Sequence, residues 1–274
     1  MKQVRAKKSL GQHFLKDPMI ADRIAASIED YKDYPVVEVG PGMGVLTNCL
    51  IDRGFDLRVV ELDRESIDYL QQHLPAAFVQ ENRIIYGDIL RCTPESLFPD
   101  NPNTPFVMIG NYPYNISGRL FYQVFQWAEQ IVCCAGMLQK EVAERITSNP
   151  GGRDYGILSV LLRSKFDLEY LFTVDKMEFL PPPKVHGGVL KMVRNKTKKI
   201  SCDETLFIDV VKTAFRQRRK TLRNALKPLF GDGYAYDSLP DSIRQLLTLR
   251  AERLDVKDFE MLVNILEETK PQII

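Results

Sequence analysis

Residues 36–44, Val36-Val37-Glu38-Val39-Gly40-Pro41-Gly42-Met43-Gly44, carry the clearest sign of the fold. The valines predict a buried strand, and the glycines after them let the backbone turn sharply and approach a ligand without a Cβ atom in the way. The dinucleotide fingerprint would need a further glycine at position 45, where Val45 stands. The stretch therefore predicts a strand, a tight turn and a helix, and a ligand-binding turn is favoured over a purely structural one.

Short β-branched runs alternate with amphipathic stretches along the first two thirds of the chain. Strands are predicted at 36–39, 57–62, 83–86, 106–109, 132–138, 168–174 and 188–193. Helices are predicted at 18–30 (with Asp17 as N-cap), 44–53, 64–73, 94–98, 117–130, 140–147 and 156–165. This alternation indicates an α/β protein with a doubly wound sheet, in which ligands bind beyond the carboxyl ends of the strands.

The pattern changes near residue 194. Residues 194–199 are polar and basic and predict a linker, and residues 200–274 have a helical pattern without convincing strands. We therefore predict a ligand-binding α/β domain over residues 1–193 and a small all-α C-terminal domain over 200–274.

Composition narrows the class of protein. The chain has 45% hydrophobic and 27% charged residues and a net charge of +1, as in an ordinary globular protein. It has neither an apolar run long enough to cross a membrane nor a secretory signal, so a cytoplasmic location without membrane attachment is predicted. Five cysteines without CxxC spacing argue against disulfides and against a metal site.

Acidic residues at three predicted strand ends suggest which cofactor the glycine turn would bind. Glu38 would sit poorly beside a pyrophosphate, but it suits the sulfonium and ammonium groups of S-adenosylmethionine. Glu61, placed 21 residues after Gly40, is predicted to accept hydrogen bonds from both ribose hydroxyls, and Asp88 from the adenine amine. Together with Gly40 and Gly42, these acids favour S-adenosylmethionine over NAD.

The stretch Gly110-Asn111-Tyr112-Pro113-Tyr114-Asn115-Ile116-Ser117 follows the fourth predicted strand. The exocyclic amine of adenine is a poor nucleophile, and an Asn111 oxygen with the backbone carbonyl beside Pro113 could accept both of its hydrogens. Such positioning supplies most of the acceleration, because a sulfonium methyl group needs no strong general base. Asn111, Pro113 and Tyr114 are the predicted catalytic residues, with Tyr114 stacking on the base. The alternative is a proline turn before a helix capped by Ser117.

Seven segments resemble the ribosomal RNA adenine dimethyltransferase family, and in particular its bacterial small-subunit (16S) branch. The segments are 9–15, 38–42, 61–63, 111–117, 138–145, 179–185 and 215–222. The resemblance implies a class I (Rossmann-like) S-adenosylmethionine methyltransferase domain with a seven-stranded sheet whose last strand is antiparallel. It also implies a reaction, the conversion of two adjacent adenosines near the 3′ end of 16S rRNA to N6,N6-dimethyladenosine during ribosome biogenesis.

The resemblance also implies roles for individual residues. The cofactor would be contacted by His13, Leu15, Gly40, Gly42, Glu61, Asp88 and Asn111. The target base would be held by Asn111, Pro113, Tyr114 and Phe179, where Phe179 is a second stacking face. From the residues alone, the alternative for Phe179 is a buried side chain on a rigid, proline-rich linker. Three positions depart from the family pattern: His13 replaces Asn, Tyr112 replaces Leu, and His186-Gly187 replace Asp-Ser. The change at Tyr112 is interpreted as neutral because the backbone carbonyl performs the role there, and His186 is given no role.

Basic residues cluster in segment 2–8 and between residues 212 and 227. If 207–229 is one helix, one face carries the predicted RNA-binding residues Arg216, Arg219, Lys220, Arg223 and Lys227, beside Lys212. Arg218 falls on the apolar side, so either the helix breaks near Gln217 or Arg218 pairs with a buried acid. Such a stripe suits a phosphate backbone, although a solvated helix face is the alternative.

The predicted partner is the small ribosomal subunit precursor, bound through its 16S rRNA by a monomer. Three other functions stay open at this point. They are a large-subunit rRNA adenine N6-methyltransferase of the macrolide-resistance type, a non-catalytic ribosome assembly factor, and an NAD-dependent reductase.

Overall fold

The computed structural model describes residues 4–230 and 236–269, the last of these without its side chain. The strands are β1 Phe14–Leu15, β2 Val36–Val39, β3 Leu57–Glu61, β4 Ile84–Tyr86, β5 Phe106–Asn111, β6 Ile131–Gln139, β7 Phe166–Val174, β8 Phe179–Leu180 and β9 Gly187–Arg194. The helices are α1 Pro18–Ala26, α2 Val45–Asp52, α3 Arg64–His73, α4 Ala76–Gln80, α5 Pro94–Leu97, α6 Ser117–Gln126, α7 Lys140–Thr147, α8 Ile157–Arg163, α9 Glu204–Arg216, α10 Leu222–Ala225, α11 Lys227–Phe230, α12 Asp241–Thr248 and α13 Val256–Thr269.

Seven strands form one sheet in the order β4-β3-β2-β5-β6-β9-β7. The pairs β4–β3, β3–β2, β2–β5 and β5–β6 are parallel, whereas β9 runs antiparallel to β6. The predicted α/β class, the seven strands and the antiparallel last strand are thus confirmed. The strand order reverses between β2 and β5, so their carboxyl ends open the crevice in which such sheets bind ligands.

The N-terminal segment forms the strand β1 and the helix α1. Asp17 caps α1 as predicted, because its carboxylate accepts a hydrogen bond of 2.8 Å from the amide of Met19. The helix ends at Ala26, four residues before its predicted end. The strand pair β1–β8 was not predicted from the sequence; in this pair Leu15 lies opposite Phe179. This pairing joins the N-terminal segment to the proline-rich loop at 180–183.

The described chain forms two compact units. The first contains residues up to 144 together with 167–194, and the second contains 145–166 together with residues from 195 onward. The predicted division near residue 194 agrees with these units, but the prediction assigned 145–166 to the first domain. In the structure, α8 buries Val160, Leu161 and Leu162, and Lys165 at its end forms an ion pair of 2.8 Å with Glu204 of the second unit. The chain thus enters the second unit at 145–166 and returns to the first unit at 167–194, which the order of residues alone does not reveal.

Over the part of the chain that the structure describes, every helix is too short or too polar to cross a membrane.

Candidate active site

A cavity of about 220 Å³ lies in the first unit, at the carboxyl ends of the parallel strands. Its walls come from the glycine turn after β2, the ends of β3 and β5, the turn after β4, and segment 10–14. The predicted site residues that line it are His13, Gly40, Gly42, Glu61, Asp88, Asn111, Pro113 and Tyr114. The structure therefore brings the glycine turn, two of the acids and the Asn-Tyr-Pro-Tyr segment to one place.

The glycine turn needs glycine at the two predicted cofactor positions. Gly40 and Gly42 have φ angles of +68° and +57°, a region that side chains with a Cβ atom rarely adopt. A Cβ atom at Gly42 would also lie 2.8 Å from the Phe14 ring, and one at Gly40 would lie 3.6 Å from Pro113. The turn thus fits closely between the N-terminal segment and the loop after β5.

Glu61 ends β3 with only 5% of its surface exposed, and its carboxylate holds the surrounding backbone. One oxygen accepts hydrogen bonds of 2.8 Å from the amides of Leu62 and Asp63, and the other accepts one of 3.2 Å from Gly42. A carboxylate has about four acceptor positions. One position therefore remains for a ligand hydroxyl, which is fewer than the two hydrogen bonds predicted from the sequence.

Asp88 follows β4 and lines the same cavity. One of its carboxylate oxygens caps the short 3₁₀ helix 89–91 through the amide of Leu90, at 3.0 Å. The other oxygen lies 3.9 Å from the Arg91 guanidinium, and the side chain is 31% exposed. Asp88 therefore keeps acceptor capacity on the cavity side.

Glu38 is 1% exposed and one of its carboxylate oxygens has no hydrogen-bond partner in the described part of the chain. It lies beside the glycine turn, in a small pocket that Gly40, Gly42 and Asn111 also line. Burial, with a smaller contribution from the nearby Glu61, raises the pKa of this carboxyl from 4.5 to about 8. An orphaned acid at this position is suited to a cationic ligand group.

This burial leads to a pH-dependent prediction for the ligand-free protein. A carboxyl whose folded pKa of about 8 exceeds its ordinary 4.5 binds its proton more tightly when folded. The stabilisation of the folded protein by the proton on Glu38 is complete below pH 4.5 and is lost as the pH rises through about 8. The free energy of unfolding then falls by at most about 1.4 kcal/mol per pH unit. In chemical denaturation across this range, Glu38→Gln should flatten the decline in the free energy of unfolding. An unchanged slope in the variant would contradict the prediction.

Asn111, the last residue of β5, is oriented by a contact with the N-terminal segment. Its amide nitrogen donates a hydrogen bond of 2.9 Å to the backbone carbonyl of His13. Because a carbonyl can only accept, the amide nitrogen faces His13 and the side-chain oxygen is left as the acceptor. The His13 ring in turn donates from Nδ1 to the carbonyl of Pro181, at 2.8 Å. His13 therefore orients Asn111 through its backbone and holds the proline-rich loop through its side chain.

Tyr114 supplies the aromatic face of the cavity. Its ring centroid lies 5.4 Å from that of His13, at an angle of 39°. Its hydroxyl is buried without a partner in the described part of the chain, and burial raises the pKa of Tyr114 well above 10. The hydroxyl therefore stays protonated near neutral pH, and Tyr114 presents an uncharged ring.

Two predicted site residues lie outside this cavity. Phe179 is 0% exposed and packs in the hydrophobic core, close to Gly187. The predicted stacking face is therefore wrong for this structure, because pairing of β8 with β1 turns the ring inward. Leu15 is 5% exposed and lines the small pocket beside Gly40 rather than the main cavity. His186, which had no predicted role, is exposed and lies 3.7 Å from Asp175.

The N-terminal segment is held by contacts that were not predicted from the sequence. Lys7 forms ion pairs of 2.6 Å with Asp63 and 3.1 Å with Glu65, and Gln12 donates to Asp63 at 3.2 Å. Lys7 belongs to the basic segment 2–8, and in the structure it holds segment 7–12 beside Glu61. Lys2 of the same basic run lies outside the described residues.

A second missed residue is Arg119, in the first turn of α6. It is exposed, and it contributes the one Lys or Arg side chain among the described residues that line the cavity. No periodicity or motif singles it out in the sequence.

The predicted RNA-binding residues lie in the second unit, but not on one continuous helix. The helix α9 ends at Arg216, and the chain restarts as α10 at Leu222. After the break, the amide of Leu222 donates to the carbonyl of Leu249, at 2.7 Å, and not to a carbonyl of α9. Arg218 pairs with the partly buried Glu252 at 3.5 Å, so both explanations offered for its position hold.

All five predicted RNA-binding side chains are exposed. They are Arg216, Arg219, Lys220, Arg223 and Lys227. Arg219 and Lys220 lie in the turn between α9 and α10, and the Arg223 guanidinium stacks 3.9 Å above the centroid of the Tyr236 ring. We call these five residues the basic turn surface.

Known proteins resemble the chain over almost its whole length. A relative from Parabacteroides distasonis, the ribosomal RNA small subunit methyltransferase A, is 53% identical over 94% of this chain and 93% of its own. The protein of the same name from Porphyromonas gingivalis is 48% identical over 98% and 100%. The crystal structure of a dimethyladenosine transferase from Plasmodium falciparum, 22% identical, has the same fold with a TM-score of 0.73 over 94% of this chain and 98% of that one.

The profile of one family covers residues 3–267 of the chain, and its description is ribosomal RNA adenine dimethylase. With this match and with relatives at about half identity, the chain belongs to the ribosomal RNA adenine dimethylase family.

Proposed function

We propose that this methyltransferase uses S-adenosylmethionine to dimethylate the N6 amines of two adjacent adenosines near the 3′ end of 16S rRNA. It acts as a monomer in the cytoplasm, on a precursor of the small ribosomal subunit. The proposal depends above all on one observation, the orientation of the Asn111 amide, whose nitrogen is held by the His13 carbonyl at 2.9 Å.

That orientation gives Asn111 the chemical role of an acceptor. Its side-chain oxygen accepts one hydrogen of the adenine amine, and the backbone carbonyl of Tyr112, next to Pro113, accepts the other. The two hydrogen bonds draw electron density onto the nitrogen and free its lone pair for attack. Positioning of this kind is worth several orders of magnitude in rate. The ring of Tyr114 stacks on the base, which must leave its helix or strand to reach the cavity.

The residues around the glycine turn fit S-adenosylmethionine. This cofactor, when bound, supplies an electrophilic methyl group on a sulfonium. Glu38 offers its unpartnered carboxylate oxygen to a cationic group, and Glu61 offers its remaining acceptor position to a ribose hydroxyl. Asp88 accepts from the adenine amine of the cofactor. Gly40 and Gly42 have positive φ angles and no Cβ atom, so the backbone of the turn can approach the ligand closely.

The choice of the small subunit follows from the relatives. The proteins at 53% and 48% identity are both named for the small subunit, which favours this substrate over the large-subunit alternative. An intact glycine turn and Asn-Tyr-Pro-Tyr segment favour an enzyme over a non-catalytic assembly factor. The absence of glycine at Val45 disfavours an NAD-dependent reductase.

The test uses small subunits purified from a strain that lacks this methyltransferase. Incubation with the protein and S-adenosylmethionine should produce N6,N6-dimethyladenosine, detected by mass spectrometry of rRNA nucleosides. Primer extension should then stop near the 3′ end of 16S rRNA. Binding without methyl transfer would instead support an assembly factor, and a stop in large-subunit rRNA would support the macrolide-resistance type.

The basic turn surface should provide affinity for the RNA backbone. We expect Arg219→Ala/Lys220→Ala to raise the KM for small subunits, and to reduce the slope of log affinity against log salt by about 0.7 to 0.9 per lost phosphate contact. The affinity for S-adenosylhomocysteine should not change. The matched control removes two other exposed cations, as Lys196→Ala/Lys199→Ala, from the predicted linker. Equal salt slopes for the two double variants would refute an RNA contact at this turn.

A further inference from the structure

The backbone carbonyl of Tyr112 is one of the two proposed acceptors, yet the side chain of Tyr112 points away from the cavity and into the core. It is 1% exposed, and its ring packs edge-on against Phe121 with centroids 5.4 Å apart and an angle of 80°. Its hydroxyl donates a hydrogen bond of 2.8 Å to the carbonyl of Ala135 on β6. Burial raises the pKa of Tyr112 well above 10, so the hydroxyl keeps its proton.

Two glycines make room for this ring. Gly110 on β5 and Gly136 on β6 lie opposite each other in the sheet. A Cβ atom at Gly136 would lie 2.8 Å from the Tyr112 ring and would also collide with the carbonyl oxygen of Gly110. A Cβ atom at Gly110 would lie 3.2 Å from the same ring. The structure thus contains a slot across β5 and β6 that fits the Tyr112 ring.

The backbone of Tyr112 is attached to the same strand. Its amide donates to the carbonyl of Met137 at 2.8 Å, two residues beyond the Ala135 carbonyl that receives the hydroxyl. Tyr112 is therefore joined to β6 at both its backbone and the tip of its side chain. A side chain without a hydroxyl would leave only the backbone attachment, and the carbonyl beside Pro113 could then rotate more freely.

We infer that Tyr112 is a positioning residue, whose buried hydroxyl anchors the segment 111–114 to β6 and sets the spacing of the two acceptors, the Asn111 side-chain oxygen and its own backbone carbonyl. The inference rests on the function proposed above. It replaces the interpretation of Tyr112 as a neutral substitution for the leucine that is usual in the family. The anchor matters for the rate because a displacement of the acceptors by about 1 Å would take the adenine amine out of its reactive position.

The test compares Tyr112→Phe with Tyr155→Phe. Both changes remove one hydroxyl from a buried tyrosine, but the Tyr155 hydroxyl has no hydrogen-bond partner in the described part of the chain. We expect Tyr112→Phe to lower kcat by about 5- to 20-fold, while the KM for small subunits and the Kd for S-adenosylhomocysteine stay within twofold. A second variant, Tyr112→Leu, also loses the contact with Phe121 and should lower kcat further.

Amide hydrogen exchange of the ligand-free protein gives a readout that does not need activity. Exchange in segment 110–116 should be faster in Tyr112→Phe than in wild type, and unchanged in Tyr155→Phe. An unchanged kcat, or an equal loss in both phenylalanine variants, would overturn the inference. So would unfolding of both Tyr112 variants while Tyr155→Phe stays folded. An inactive wild type would refute the proposed function instead, and hydrogen exchange would still report on the anchor.

Discussion

Replacement of Asn111 by alanine is expected to lower kcat for methyl transfer by about 100-fold or more. The variant loses the oxygen that accepts one hydrogen of the adenine amine, so the amine stays conjugated with its ring. It also loses the donor to the His13 carbonyl, which holds segment 10–14 against the cavity. Tritium transfer from labelled S-adenosylmethionine to small subunits, measured at saturating concentrations of both, gives kcat directly.

The control for this variant is Asn48→Ala. The Asn48 amide also donates to a backbone carbonyl, that of Gly44 at 2.8 Å, but the residue is exposed on α2 and does not line the cavity. We expect kcat within twofold of wild type for this control. Calorimetry with S-adenosylhomocysteine should show that Asn111→Ala weakens cofactor binding by less than tenfold. Equal methyl transfer by wild type and Asn111→Ala would remove Asn111 from the mechanism.

Replacement of Glu61 by alanine should weaken the binding of S-adenosylhomocysteine on the order of 100-fold. One part of this loss is the hydrogen bond to a ribose hydroxyl, since hydrogen bonds to a charged group contribute about 1.5–3 kcal/mol each. The other part is structural, because the amides of Gly42, Leu62 and Asp63 lose their acceptor. The glycine turn is then no longer held in its binding conformation.

Glu61→Gln separates these two parts. Its amide group keeps one oxygen but cannot accept from both sides, so we expect an affinity between those of wild type and alanine. Glu95→Ala, at an exposed residue of α5, is the control for loss of one acidic charge. Isothermal titration calorimetry measures all four proteins. An alanine variant with wild-type affinity would show that the cofactor does not contact this acid.

Much of the fold could be predicted from the sequence. The seven sheet strands were predicted within three residues of their observed ends, and the predicted cap at Asp17 agrees with the start of α1. Strand periodicity and helix capping depend on residues that are close in the chain, so a single sequence contains the information. The sequence signal for the helix break after Arg216 was weaker, because Leu222 and Ala225 continue the apolar pattern of α9.

Part of the candidate site could also be predicted from the sequence. The glycine turn, Glu61, Asp88 and the segment 111–114 line one cavity because the carboxyl ends of neighbouring parallel strands meet at one edge of the sheet. Phe179 could not be placed by this argument, since it follows β7 and its direction depends on the pairing of β8 with β1. The same holds for Lys7, whose partner Asp63 lies 56 positions away in the chain.

From the amino-acid order alone came the α/β class, the glycine turn, the acids at the strand ends and the family, because each rests on local patterns or motifs. Folding established which of these groups act together. The Asn111 amide is oriented by His13, 98 positions away, and the His13 ring by Pro181, 168 positions away. The Tyr112 ring needs a slot formed by two strands. Such contacts depend on the packing of distant segments, for which neighbouring residues in the chain contain no signal.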